Sequence, residues 1–213
     1  MKSRRLLRIY RRLLSSFGPQ AWWPAESPFE VMVGAVLTQN TSWKNVERAI
    51  ENLKKHKLLN PAKLYRLPQK KLACLILPAG YYNIKAQRLK NLLEFFIKRY
   101  HASIANMRLE NSRRLRKELL AVNGIGPETA DSILLYALDK PVFVVDAYTK
   151  RVLLRHGLIK EDADYSRIQN LFISGLKKDA GLFNEYHALL VKLGKDFCLK
   201  SKPRCADCPL KGG

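Results

Sequence analysis

The stretch from Leu119 to Arg151, LLAVNGIGPETADSILLYALDKPVFVVDAYTKR, constrains this chain more than any other. Leu115, Leu119, Leu120 and Val122 close one amphipathic run, and Thr129, Ala130, Ile133, Leu134 and Ala137 open the next. Between them sits Gly124-Ile125-Gly126-Pro127, so the pattern reads as helix, tight turn, helix. Two glycines around one apolar residue allow positive φ and a close approach of ligand to backbone. Pro127 suits the first turn of a helix, where its missing N–H costs nothing. The turn then presents a bare helix N-terminus, a phosphate site, while Ile125 plugs it into the core. A Gly-x-Gly before a helix also serves as a plain αα-turn, and the motif alone leaves both readings open. Beyond the second helix, the apolar run from Pro141 to Val145 delivers Asp146 just ahead of a helix from Ala147 to Arg155. An aspartate so placed is ordinarily an N-cap, and that role stands beside any other.

Composition decides what such a turn would meet. Lys and Arg number 39 against 18 Asp and Glu, a net charge of +21 spread along the 213 residues rather than gathered in a tail. Such an excess suits a polyanionic partner. A membrane surface would attract it too, but no apolar segment approaches the roughly 18–20 residues needed to span a bilayer. The opening segment MKSRRLLRIYRRLLSSFG imitates a transit peptide or an interfacial helix. Leu6, Leu7, Tyr10, Leu13 and Leu14 share one face at helical spacing, so a docked amphipathic helix is expected. No signal-peptide cleavage site is present, and the expected setting is the cytoplasm of a prokaryote-like cell, associated with its nucleoid. The 47% hydrophobic content excludes a disordered chain. No stretch alternates with period two, no segment repeats, and the HExxH, phosphate-loop and dinucleotide motifs are missing. The expected fold class is all-α.

VNGIGPETADSILLYAL followed by PVFVVDAYTKR resembles the helix-hairpin-helix and Gly/Pro-Asp region of the endonuclease III superfamily of DNA base-excision glycosylases. The resemblance runs from about Phe29 to Cys208. It implies a two-lobed all-α fold, with a central helical domain over 18–140 carrying the hairpin. The second domain would join 1–17 to 141–213 and end in a Cys loop. It implies Asp146 as the catalytic aspartate and Gly124, Ile125, Gly126, Glu128 and Thr129 as the hairpin's DNA contacts. The lyase branch carries a lysine directly before the Thr-Ala of the second hairpin helix, where this chain has Glu128. Without that amine no Schiff base with the sugar is expected, so the resemblance implies a monofunctional glycosylase. Should another amine serve, Lys150 is the first suspect by its nearness to Asp146.

Further residues gain meaning from the same resemblance. Ser27-Pro28-Phe29-Glu30 is a helix start, and Phe29 to Leu37 is apolar enough for a buried helix. It ends at the polar cluster Thr38 to Trp43, where the resemblance puts Gln39 in the space vacated by a flipped base; a plain joint with satisfied amides is the alternative. Gly80-Tyr81-Tyr82-Asn83-Ile84-Lys85-Ala86 resembles the family's wedge turn, with Tyr81 as the residue inserted into the DNA stack. Lys85, Arg88 and Lys90 flank it as phosphate contacts. Arg113, Arg114, Arg116 and Lys117, on a first hairpin helix over 107–120, would face solvent or backbone.

Trp22-Trp23-Pro24 sits in a Pro-rich loop, and adjacent tryptophans cannot share one helix face. Both covering a domain seam is one reading. The other is an aromatic base pocket of Trp23, Pro24 and Trp43, since the WWP and LTQNT elements look like the 3-methyladenine branch of the superfamily.

Cys198, Cys205 and Cys208 are spaced C-x6-C-x2-C, which in a cytosolic setting suggests metal ligation rather than disulfides. The resembling family holds a [4Fe–4S] cluster with C-x6-C-x2-C-x5-C, whose fourth cysteine would follow Gly213. A shortened chain, an exogenous fourth ligand or a vestigial site each accounts for the difference. Zinc at three cysteines is the weaker alternative, and Cys74 reads as core. The expected partner is double-stranded DNA with a damaged base, bound by a monomer that does not enter the membrane. The expected activity is excision of an alkylated purine such as 3-methyladenine. The alternatives are a mismatch thymine/uracil glycosylase, an endonuclease III-like glycosylase/lyase, or a silent binder of damaged DNA.

Overall fold

A computed structural model describes residues 2–212; Met1 and Gly213, which fall within the domain bounds drawn from the sequence, lie outside the described residues. Helices follow one another as α1 (Lys2–Phe17), α2 (Pro28–Leu37), α3 (Trp43–Lys55), α4 (Pro61–Arg66), α5 (Gln69–Leu75) and α6 (Tyr82–Tyr100). Then come α7 (Ile104–Leu109), α8 (Ser112–Ala121), α9 (Pro127–Ser132), α10 (Ala147–Arg155), α11 (Tyr165–Gly175) and α12 (Ala180–Asp196). A 3₁₀ turn over Leu77–Ala79 precedes α6, and a π-helical turn over Ile133–Ala137 continues α9. The fold is all-α, with no strand among the described residues.

Short polar side chains set the helix starts. Ser27, Asn60, Ser103, Asn111, Asp164 and Asp179 each accept a first-turn N–H, the backbone group a helix cannot satisfy itself. Asn111 also corrects the single hairpin helix expected over 107–120. Its Oδ1 takes the N–H groups of Arg113 and Arg114, which stops α7 at Leu109 and restarts the chain as α8. The buried face of α1 is Leu6, Ile9 and Leu13, while Leu7, Tyr10 and Leu14 are only half-buried.

The chain divides into two compact units. One joins the residues up to Pro24 to those from Pro141 onward, and the other is Ala25–Lys140. Residues 18–24, with the two adjacent tryptophans, thus stand with the first unit and not with the central domain drawn from the sequence.

In the first unit α12 packs on both α1 and α10, and α11 packs on α1. Its centre is Phe143, stacked on Phe172 at 3.6 Å and met edge-on by Phe183 and Tyr186. The buried Tyr186 hydroxyl donates to the Leu6 carbonyl at 2.9 Å, tying α1 to this core. In the second unit α2 is buried from Phe29 to Leu37 and is surrounded by α3, α6, α9 and the π turn. Its one buried charge, Glu30, pairs with Lys54 at 2.9 Å.

Candidate functional site

The first unit carries a carboxylate whose surroundings are built for charge. Val142, Phe143, Val144 and Val145 are buried, and two bonds pin their backbone: Gln169 Nε2 donates to the Phe143 carbonyl at 2.7 Å, and the Val145 N–H donates to the Tyr165 hydroxyl at 3.3 Å. This rigid segment delivers Asp146 to the start of α10. There Oδ1 accepts the Thr149 N–H at 2.7 Å, so the N-cap role is real. The other oxygen, Oδ2, lies 3.7 Å from Nε2 of His187 on α12. Burial pushes the Asp146 carboxyl upward. The His187 imidazole and the N–H and hydroxyl of Thr149 outweigh that and hold it below the ordinary carboxylate value. His187 escaped the sequence reading because nothing local links it to a residue 41 positions earlier. Only the packing of α12 on α10 brings them together.

Lys150, the alternative amine, stands in the first turn of α10. Its Nζ donates to the Ala163 carbonyl at 3.0 Å.

The second unit carries the hairpin. Arg116 of α8 grips the fully buried Asp131 of α9 with two bonds of 2.7 and 3.0 Å, rather than facing solvent or backbone as expected. Between these helices Ile125 is 4% exposed, the plug its place in the turn implied. Of the two glycines only Gly124 needs its freedom, at φ 90°; a Cβ there would lie 2.2 Å from Cγ of Arg88. Gly126 is extended, serves as the N-cap of α9, and gives the first-turn amides no competing side chain. Glu128 is exposed in that turn, whereas Thr129 is buried.

Gln39 is tied to this hairpin. Its amide nitrogen donates to the Gly124 carbonyl at 3.0 Å and to the Thr129 hydroxyl at 2.9 Å, and its oxygen accepts from Arg88 at 2.5 Å. Residues 39, 88, 124 and 129 therefore form one network, which fixes the α2–α3 turn against the hairpin turn.

The three cations expected to flank the wedge as phosphate contacts are turned inward, which corrects that expectation. Lys85 is 1% exposed, and its Nζ donates to the carbonyls of Leu37 at 2.8 Å and Ala79 at 2.7 Å. Those carbonyls end α2 and the 3₁₀ turn, where the helix leaves acceptors unsatisfied. Burial, aided by the Arg88 charge, pushes the ammonium down to about 8. Lys90 donates to the carbonyls of Leu64, Tyr65 and Leu67 around the end of α4, and Arg88 belongs to the Gln39 network. Tyr81 itself is 68% exposed and left-handed at φ 46°, standing out from the turn that Lys85 anchors.

The aromatic residues fall on both units. Trp22 and Trp23 are half-buried in the first, with ring centroids 5.5 Å apart, and Lys195 lies 5.7 Å from the Trp22 ring; Pro24 beside them is exposed. Trp43 opens α3 in the second unit and donates from Nε1 to Glu47 at 2.6 Å.

The three cysteines of the C-terminal loop differ in exposure. Cys198 is buried, Cys205 exposed and Cys208 half-buried, and among the described residues no three His, Cys, Asp or Glu side chains stand together to hold a metal. Arginines hold the loop instead. Arg151 donates to the carbonyls of Gly194 and Cys198, while Arg155 donates to those of Leu199 and Lys200 and to the Cys198 sulfur at 3.3 Å.

The family description "HhH-GPD superfamily base excision DNA repair protein" matches residues 33–178. A protein of Methanocaldococcus jannaschii, provisionally named a DNA repair glycosylase, is 52% identical over 97% of this chain and 94% of its own length. The crystal structure of a 3-methyladenine DNA glycosylase from H. pylori, bound to 1,N6-ethenoadenine, is 32% identical. It covers 92% of this chain and 98% of its own, with a TM-score of 0.78. Endonuclease III trapped covalently on DNA is 22% identical over 98% of this chain and 93% of its own; its TM-score of 0.84 shows a common fold.

Proposed function

Because this chain belongs to the HhH-GPD superfamily of base excision DNA repair proteins and is a DNA glycosylase of that family, we propose that it is monofunctional and removes an alkylated purine such as 3-methyladenine. The observation that carries the chemistry is the ionised Asp146, fixed by a helix cap on one oxygen and by His187 beside the other. Breaking a base–sugar bond builds positive charge on the sugar. A fixed carboxylate stabilises that charge and can orient or deprotonate the attacking water. The target nucleotide must leave the stack to be reached. The Gln39–Arg88–Gly124–Thr129 network and the exposed Tyr81 are the parts of the second unit suited to a duplex with one base removed from its stack. Phosphate contacts at the hairpin would position the enzyme without reading sequence.

Two features support the monofunctional reading. Glu128 stands where the lyase branch has its lysine, and Lys150 Nζ is engaged by the Ala163 carbonyl. Borohydride is expected to trap no enzyme–DNA adduct, and strands should break only after alkali. A trapped complex would show that some other amine attacks the sugar.

The alkylated-base reading rests on Trp23, Pro24 and Trp43 and on the likeness to the H. pylori protein. Alkylated purines such as 3-methyladenine carry a formal positive charge, leave as neutral bases without needing an acid, and gain roughly 0.5–2 kcal/mol from an aromatic face. Trp43→Ala should therefore slow excision of 3-methyladenine while leaving affinity for an abasic-site analogue near wild type. The deciding assay is excision from duplexes bearing 3-methyladenine, G·T or G·U. Activity confined to the mispairs would replace this reading with a mismatch thymine/uracil glycosylase.

A further inference from the structure

A second basic feature lies in the first unit, away from Asp146. Arg5, Arg8 and Arg12 follow one another along α1 at spacings of three and four, which puts them on one face. Together with Ile9, His156 and Leu210 they line a shallow cleft that opens to solvent, and among the described residues no carboxylate lines it. Two of the three guanidiniums are already anchored. Arg5 Nη2 donates to the His156 carbonyl at 2.6 Å, and Arg12 Nη2 donates to the Lys211 carbonyl at 2.8 Å. Each guanidinium has five N–H donors, so anchoring one leaves others to serve a ligand while the side chain stays in place. The gathered charge is felt by its neighbour: burial first, then Arg5 and Arg12, push the His156 imidazole below its ordinary value.

Such a set of planar donors, with no carboxylate among the described lining residues, is matched by one tetrahedral anion. We propose that the Arg5–Arg8–Arg12–His156 cleft binds a single phosphate group. The cleft is separate from the catalytic carboxylate. Asp146 begins α10 and His156 ends it, which places them roughly 15 Å apart along that helix. The phosphate therefore comes from a second stretch of nucleic acid backbone or from a free phosphate-bearing anion. Only the first of these sources rests on the glycosylase reading.

The test uses the full chain with Arg8→Gln and Arg8→Lys. Arg8 is exposed, and neither substitution removes an anchor of the cleft. In the first arm the thermal midpoint is measured in inorganic phosphate, in pyrophosphate and in chloride at matched ionic strength. Phosphate should raise the midpoint of wild type above the chloride control. Arg8→Gln should abolish that rise, and Arg8→Lys should restore part of it. In the second arm an undamaged duplex is titrated at several salt concentrations. A backbone phosphate in the cleft makes the slope of log K against log salt about one unit shallower in Arg8→Gln. Loss of the phosphate effect with an unchanged slope assigns the cleft to a free anion, and loss of both assigns it to nucleic acid. If wild type responds to phosphate no more than to chloride and the variants share its salt slope, the proposal is overturned. The far-ultraviolet circular dichroism spectrum and the thermal midpoint in chloride serve as the folding controls for both variants.

Discussion

Asp146→Asn is expected to lower single-turnover excision by about 10³-fold while affinity for an abasic-site analogue stays near wild type. The substitution keeps the helix cap, because asparagine accepts a first-turn N–H about as well as aspartate. It removes only the negative charge. A fall in binding equal to the fall in rate would mean that the fold of the first unit had been damaged, and near wild-type turnover would end the catalytic assignment. The pH dependence has a definite sign. The folded-state value of Asp146 is held below the ordinary 3.8 despite burial. The carboxylate therefore stays ionised at every pH above that value, and the stability it contributes is lost only as pH falls through the depressed value. A carbon-13 titration of the Asp146 carboxyl should place its midpoint below 3.8. A higher midpoint would show that burial outweighs His187 and Thr149.

Lys85→Met should lower both stability and excision. Methionine fills the volume but leaves the carbonyls of Leu37 and Ala79 without their donor. A buried acceptor so abandoned costs about 1–3 kcal/mol, which a urea midpoint resolves. Those carbonyls lie just before Gln39 and Tyr81, so the same loss loosens two turns proposed to engage DNA. The pH signature separates this buried clamp from a surface lysine. The folded-state value is about 8 and the ordinary value 10.5. Between these two pH values the unfolded chain holds a proton that the folded chain has released, so stability rises with pH in that window. The stability gap between wild type and Lys85→Met should widen from pH 8 to 10.5. A gap that narrows would show that the ammonium is better stabilised folded than unfolded.

Much of the architecture was legible because it is written in local periodicity. Apolar residues at helical spacing mark α1, α2 and α12, and Ser27 marks where α2 starts. The hairpin turn could be read because Gly124, Ile125 and Pro127 act within one turn of chain. The stop at Asn111 could not be, since Asn111 followed by Ser112 interrupts no apolar stripe and only the capping geometry reveals the break. The tryptophan loop was drawn into the wrong unit for a related reason: a Pro-rich segment announces a boundary without saying which side it joins.

The charge shows the division most clearly. A net charge of +21 belongs to the sequence and by itself points to a polyanion. Where each cation goes is decided by the folded backbone. Helix C-termini leave carbonyl oxygens and a partial negative charge, and Lys85, Lys90, Lys140 and Arg151 all reach such carbonyls. A lysine in the sequence carries no mark to tell an inward clamp from a phosphate contact, because its partner is a backbone oxygen that any residue supplies. The same holds for Asp146 and His187. The aspartate and its cap were determined locally, by an apolar run ending at a helix start. The imidazole that helps to keep it ionised arrived only with α12, because electrostatic partnership depends on distance in space and leaves no trace in spacing along the chain.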